Sequence, residues 1–77
     1  MENIISRITV NPEICHGKPV IRNTRFMVEG IIEYLAGGDT VEDVLKEFPE
    51  LTKEDVLACL AYATEVMKLK DIEIPIK

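Results

Sequence analysis

Two neighbouring residues in this chain have the chemistry of a nucleophile and a base: Cys15 and His16. An imidazole-activated thiolate is a common route to covalent catalysis, but both side chains must reach the same reacting atom. In extended backbone, adjacent side chains point to opposite faces, so this pair is poorly placed for it. The other cysteine, Cys59, is distant in sequence, and there is no second histidine. Zinc takes four ligands at a recognisable spacing, such as paired CxxC units, and no such spacing occurs. Gly17, Gly30, Gly37 and Gly38 form neither a phosphate-cradling loop nor a dinucleotide fingerprint. The expectation is therefore a protein that is not an enzyme, with no catalytic residues, no cofactor and no metal. Cys15 and Cys59 read as small apolar packers, and His16 as a turn residue.

The sharper group is basic. Lys18, Arg22 and Arg25, with Arg7 upstream, lie in a stretch rich in β-branched residues. They are candidates for contact with phosphates, RNA or an acidic protein pocket. The plain alternative is a set of solvated charges that keep an exposed strand from pairing with other chains. The charge distribution favours the first third of the chain for any such role. Residues 1–28 carry Arg7, Lys18, Arg22 and Arg25 against Glu2 and Glu13, whereas residues 29–77 carry five lysines against twelve acids. With a net charge of −5, a DNA-embracing surface along the whole molecule is disfavoured, because phosphate neutralisation supplies most of that affinity.

The length of 77 residues allows one small core, and domains of this size are often helped by oligomerisation. A start of Met-Glu-Asn lacks the basic and apolar regions of a secretory signal, and no run of about 18 apolar residues is present. The expectation is a cytoplasmic domain with no membrane contact, its two cysteines reduced.

These residues must be held by local structure, and the patterning predicts it. Ile4–Val10 reads as a strand, broken by Asn11-Pro12. Gly17–Phe26 reads as a short hairpin or extended arm, with Asn23-Thr24 as its turn. Val28, Ile31, Ile32 and Leu35 mark one face of a first helix, stopped by Gly37-Gly38. Thr40 with Asp43, and Thr52 with Asp55, have the spacing of capping boxes opening a second and a third helix. Pro49 ends the second. The third runs to about Lys68 or Lys70, and Ile72, Ile74 and Ile76 alternate as a short C-terminal strand. The fold class is thus mainly α: a three-helix, homeodomain-like helix-turn-helix with an extended N-terminal β arm or hairpin. One domain is expected, divided into 1–26 (arm and hairpin), 27–70 (three-helix unit) and 71–77 (terminal strand).

Helix 3 is apolar on two sides. Val56, Leu57, Leu60, Ala63, Thr64 and Met67 fall on one, read as facing helices 1 and 2. Asp55, Ala58, Cys59, Tyr62, Val66 and Leu69 fall on the other. A groove-reading helix would carry Arg, Lys, Asn or Gln outward, and this one has Glu54 and Asp55 in its first turn. The second face therefore predicts a partner-binding surface of Ala58, Cys59, Tyr62, Val66 and Leu69, with a homodimer as the expected outcome. The competing expectation is that the N-terminal arm or C-terminal strand of the same chain folds over it.

The run PEICHGKPVIRNTRFMV resembles the signature of the prokaryotic family called domain of unknown function 433. Pro12, Gly17, Lys18, Pro19, Ile21, Thr24, Arg25 and Val28 carry that resemblance. It continues through Gly37 or Gly38, Phe48-Pro49, Leu51-Thr52, Asp55-Val56, Leu60 and Tyr62-Ala63. The match covers about residues 4 to 66. One departure is Asn23, where the family usually has Gly, and Asn is the best substitute for a positive φ. The resemblance implies a homeodomain-like helix-turn-helix fold and an antitoxin role against a PIN-type nuclease toxin. On that reading Arg22 or Arg25 would pair with the metal-site carboxylates of the nuclease. The alternative is a transcriptional regulator touching DNA through Arg7, Lys18, Arg22 and Arg25, and a third reading is a purely structural dimerisation domain.

Overall fold

The computed structural model describes residues 4–69. The predicted C-terminal strand at 71–77 lies outside the described residues. Within them the fold is mainly helical, with a small antiparallel hairpin near the N-terminus. A 3-10 turn at Ile4–Arg7 leads into β1 (Ile8–Thr9), which pairs with β2 (Val20–Ile21). The register sets Ile8 opposite Ile21 and Thr9 opposite Val20. Then come α1 (Val28–Ala36), α2 (Val41–Glu47) and α3 (Lys53–Leu69).

The helix boundaries follow from local chemistry. At α2, the Asp43 amide donates to Thr40 Oγ1 (3.1 Å) and the Thr40 amide to Asp43 Oδ2 (2.9 Å). These contacts hold the Asp43 carboxyl below its ordinary pKa, through the Thr40 backbone first and the Thr40 hydroxyl second. At α3, Thr52 and Asp55 repeat the arrangement at 3.0 and 3.2 Å. Both boxes satisfy amides that a helix start leaves without intrahelical partners. Gly38, at φ +108°, takes the chain out of α1 as a left-handed terminus requires.

The core is aliphatic. Ile21, Val28, Ile31, Val44, Leu51, Val56 and Cys59 are buried together, drawn from the hairpin and all three helices. Phe48, the last residue before Pro49, stacks edge-on against both Phe26 (5.2 Å) and Tyr34 (5.4 Å). It thereby ties the hairpin's return and α1 to the end of α2.

Two expectations are corrected here. The strand predicted over 4–10 is real only at Ile8–Thr9, because Ile4–Arg7 forms a 3-10 turn that packs along α3. β2 offers only two residues for pairing, so the isoleucines before β1 find apolar cover on a helix instead. The second correction concerns α3: of the stripe read as facing helices 1 and 2, Val56 is buried as expected and Ala63 partly so, but the rest is exposed, while most of the predicted outer face is covered. Asp55, Val56, Ala58 and Cys59 are buried, and Tyr62 packs on the core, whereas Leu57, Leu60 and Met67 are exposed. Ala58 and Cys59 are small, and that lets the N-terminal segment approach the helix closely. Of the predicted partner-binding residues, Ala58 and Cys59 are covered by their own chain, Tyr62 and Val66 partly so, and Leu69 is exposed.

Burial gives Cys59 a measurable signature. Desolvation, reinforced by the nearby Asp55 charge, pushes its thiol from 9.0 up to about 11. An unfolded chain would ionise this thiol at lower pH than the folded one. Its contribution is therefore fully present below pH 9 and is lost as pH rises toward 11. The stability advantage of the wild type over Cys59→Ala should shrink by about 2 kcal/mol across that window, read from urea midpoints. An advantage independent of pH would show that the thiol is solvated.

Candidate functional site

Of the basic residues of the first third, Arg7 ends the 3-10 turn before β1, and Lys18, Arg22 and Arg25 are carried by two linked turns. After β1 the chain runs through Asn11-Pro12 into a left-handed turn at Cys15–Gly17, with φ of 50°, 58° and 82°. The Gly17 amide donates to Ile14 O (3.0 Å) and the Lys18 amide to Cys15 O (3.1 Å). Consecutive non-glycine residues in this region are uncommon, because each carries a steric cost at Cβ. His16 is an exposed turn residue, as its sequence context predicts, and Cys15 is half-buried.

From Pro19 the chain forms a second hairpin. Its closing contacts are Val28 N to Pro19 O (3.0 Å), Ile21 N to Phe26 O (2.9 Å), and a bridge between Val20 and Met27. The tip is Arg22-Asn23-Thr24-Arg25. Asn23 sits at φ +64°, confirming the predicted turn. Thr24 fixes the turn from inside: its hydroxyl donates to Ile21 O (2.7 Å) and accepts from the Phe26 amide (3.0 Å). The Cys15 thiol lies 3.9 Å from Arg25 O, a weak tie between the two turns. Asn23→Gly should leave stability unchanged or slightly raised, whereas Asn23→Val should cost about 1–2 kcal/mol in a chemical melt. Equal stability of both variants would contradict the left-handed geometry.

The four predicted contact residues divide into pairs. Arg7 reaches back across the fold and donates from Nη1 to Asp55 Oδ1 at 3.0 Å. Lys18 Nζ lies 2.7 Å from Glu29 Oε1 at the start of α1, a pair exposed on both sides. That contact, by hydrogen bond first and charge second, raises the Lys18 pKa. Arg22 and Arg25 are exposed, and no acid among the described residues pairs with either. They stand at opposite ends of one four-residue turn whose backbone is pinned by hydrogen bonds. Beside Arg25 a shallow cleft of about 240 Å³ is lined by Ile14, Asn23, Thr24 and Arg25.

The structure thus does not gather Arg7, Lys18, Arg22 and Arg25 into one free cluster. Among the described residues it leaves Arg22 and Arg25 without an acidic partner, on a tip whose backbone is held by hydrogen bonds. Sequence reasoning placed Asp55 in the α3 capping box, as observed, but missed its second role as the anchor for Arg7. The available signal was an acid placed among apolar residues of α3, with an arginine upstream to meet it.

A larger cleft of about 490 Å³ between α1 and α2 is lined by Tyr34, Asp39, Asp43, Val44, Lys46 and Glu47. Asp43 is engaged in the α2 cap, and no histidine or cysteine lines it. Among the described residues, no three His, Cys, Asp or Glu side chains group as metal holders. No helix among them is long and apolar enough to cross a membrane.

The model of the family described as protein of unknown function (DUF433) matches residues 8–63, and the chain belongs to that family. It is similar to the uncharacterized protein y4eO of Sinorhizobium fredii, at 36% identity over 56 residues. That match covers 73% of this chain but 25% of y4eO. A crystal structure of a DUF433 member protein from Anabaena variabilis has a TM-score of 0.76 at 32% identity, covering 82% of this chain and 62% of that one. The chain therefore spans a quarter of the curated relative's length and under two thirds of the solved chain.

Proposed function

We propose that this chain is an antitoxin-like binding module that neutralises a PIN-type nuclease toxin in the cytoplasm and also dimerises. It acts by binding, not catalysis, and needs no cofactor. The observation that carries the reading is the hairpin tip. Arg22 and Arg25, with which no acid among the described residues pairs, sit on a turn that loses little conformational freedom when docked. A guanidinium matches a carboxylate in a bidentate geometry, and nuclease metal sites gather carboxylates. The tip would occupy the acidic site of the nuclease and exclude metal or RNA. The acid-rich remainder of the chain would meanwhile repel the RNA substrate.

The test uses the PIN-type nuclease that copurifies with the chain from its native cells. Adding the chain should stop RNA cleavage, and Arg22→Ala with Arg25→Ala should weaken the complex about 100-fold or more while leaving the melting temperature unchanged. Absence of such a nuclease, or undiminished cleavage, would sink the reading. The regulator alternative makes a different forecast: DNA binding that falls steeply with salt and is lost in the same double variant. With Arg7 and Lys18 paired internally, two of the four candidate cations are left for phosphates, which makes protein carboxylates the better fit.

A further inference from the structure

We infer that the outward side of α3 is a self-association surface, on which a second copy of this chain packs antiparallel to the first. The inference takes up the dimer in the proposed function, gives it a surface and register, and stands without any nuclease.

The observations begin with exposure. The N-terminal turn, α1 and α2 all pack on α3, whose buried residues are Asp55, Val56, Ala58 and Cys59. By contrast, Leu57 and Leu60 are each 39% exposed and Met67 is 71% exposed. With Thr64 they occupy positions 57, 60, 64 and 67 of a 17-residue helix. That alternation of three and four residues is the a/d seam of a two-stranded coiled coil. Thr64 does not interrupt it, since its hydroxyl already donates to Leu60 O at 2.9 Å and leaves its methyl group for packing. An apolar seam of this kind is used when a second helix covers it.

Charge then selects the partner and its direction. Taking Leu57 as an a position, Glu54, Ala61 and Lys68 are the e positions, each seven residues from the next. In an antiparallel pair, e positions face e positions across the two-fold axis. A two-fold axis level with position 62 puts Leu57 opposite Met67 and Leu60 opposite Thr64, and brings Glu54 of each copy two residues off level from Lys68 of the other, within side-chain reach, with Ala61 between them in the e row. Two opposite-charge pairs thus form by symmetry. A parallel pair would set like helix ends side by side, against their dipoles, and bring Glu54 level with Glu54. Lys68 now contacts Glu65 at 3.3 Å, but both side chains are more than half exposed, so that contact is readily exchanged. The matching of α3 to its own reverse points to a second copy of this chain.

Sedimentation equilibrium of the full chain tests this. The wild type should dimerise at about 100 μM or below, and Leu57→Glu with Leu60→Glu should weaken the dimer about 100-fold with an unchanged monomer melting temperature. Glu54→Lys and Lys68→Glu should each weaken it about tenfold, and the two together should restore it to within about threefold. A monomeric wild type, or a dimer indifferent to the leucine changes, would overturn the assignment. So would failure of the double charge exchange to restore association. A monomer whose melting temperature falls with the leucine changes would show the seam covered within one chain, which also overturns it. Nuclease inhibition is not read in any of these experiments, so failure here and failure of the antitoxin reading are separable.

Discussion

Ile31→Ala should destabilise the fold by about 3–4 kcal/mol, enough to leave much of the protein unfolded at room temperature. Ile31 is only 2% exposed and is among the largest fully buried side chains. It belongs to the single core that joins Ile21 of the hairpin, Val28 of α1, Val44 of α2 and Val56 of α3. Removing its three outer carbons costs the lost transfer free energy and leaves a cavity that helices held at three other points close poorly. The total stability of a domain this small is about 4–10 kcal/mol, so the loss is a large share of it. Thermal melts at one fixed protein concentration should show a drop of about 15–25 °C, and Ile31→Val a drop of about 5 °C. A cost below about 1 kcal/mol for the alanine variant would mean the core can collapse around position 31. The same change should leave the hairpin tip chemically intact, so any loss of partner binding should track the unfolded fraction.

The sequence made the helices legible because their signals are local. Both capping boxes, the Gly37-Gly38 stop and the Pro49 break lie within a few residues of what they control, and each is where the pattern places it. Asn23 was legible for the same reason, since a positive φ is a property of one residue and its immediate turn. The orientation of α3 was not. Both its faces are apolar, and periodicity identifies a stripe without saying which neighbour will cover it. Large leucines at 57 and 60 look like core, and alanine and cysteine at 58 and 59 look dispensable. Yet small side chains are what allow close approach: Ala58 and Cys59 are fully buried, the N-terminal turn packs on the helix, and the leucines face outward. The basic residues were legible as types but not as a site. Whether an arginine is free depends on acids distant in sequence, as the Arg7 contact with Asp55 demonstrates across 48 positions. Of the four candidate contact residues, that long-range pairing leaves Arg22 and Arg25 without an acidic partner among the described residues.

That pairing makes Asp55→Ala the most costly polar substitution expected in the molecule. Asp55 Oδ2 accepts from the Thr52 amide at 3.0 Å, and Oδ1 accepts from Arg7 Nη1 at 3.0 Å. One carboxylate therefore starts α3 and fastens the N-terminal segment over the helix's buried face. Its side chain is 13% exposed, so little water is available to replace either contact. Loss of the cap costs about 1 kcal/mol, and the part-buried charged hydrogen bond adds about 1–2, giving about 2–3 in all. Arg7→Ala should cost less, about 1 kcal/mol, because its side chain is 37% exposed and the cap remains. The double variant should cost less than the sum of the singles, with a coupling of about 0.5–1 kcal/mol that reports the ion pair itself. Asp43 is the internal control, since it caps α2 in the same way without an arginine partner, and its alanine variant should be milder. Urea unfolding of these variants separates the two roles of Asp55. A coupling of zero would mean that Arg7 is merely nearby and that apolar packing alone holds the N-terminal turn on α3. A large coupling, by contrast, explains why an acid is tolerated on the face where α3 meets its own chain.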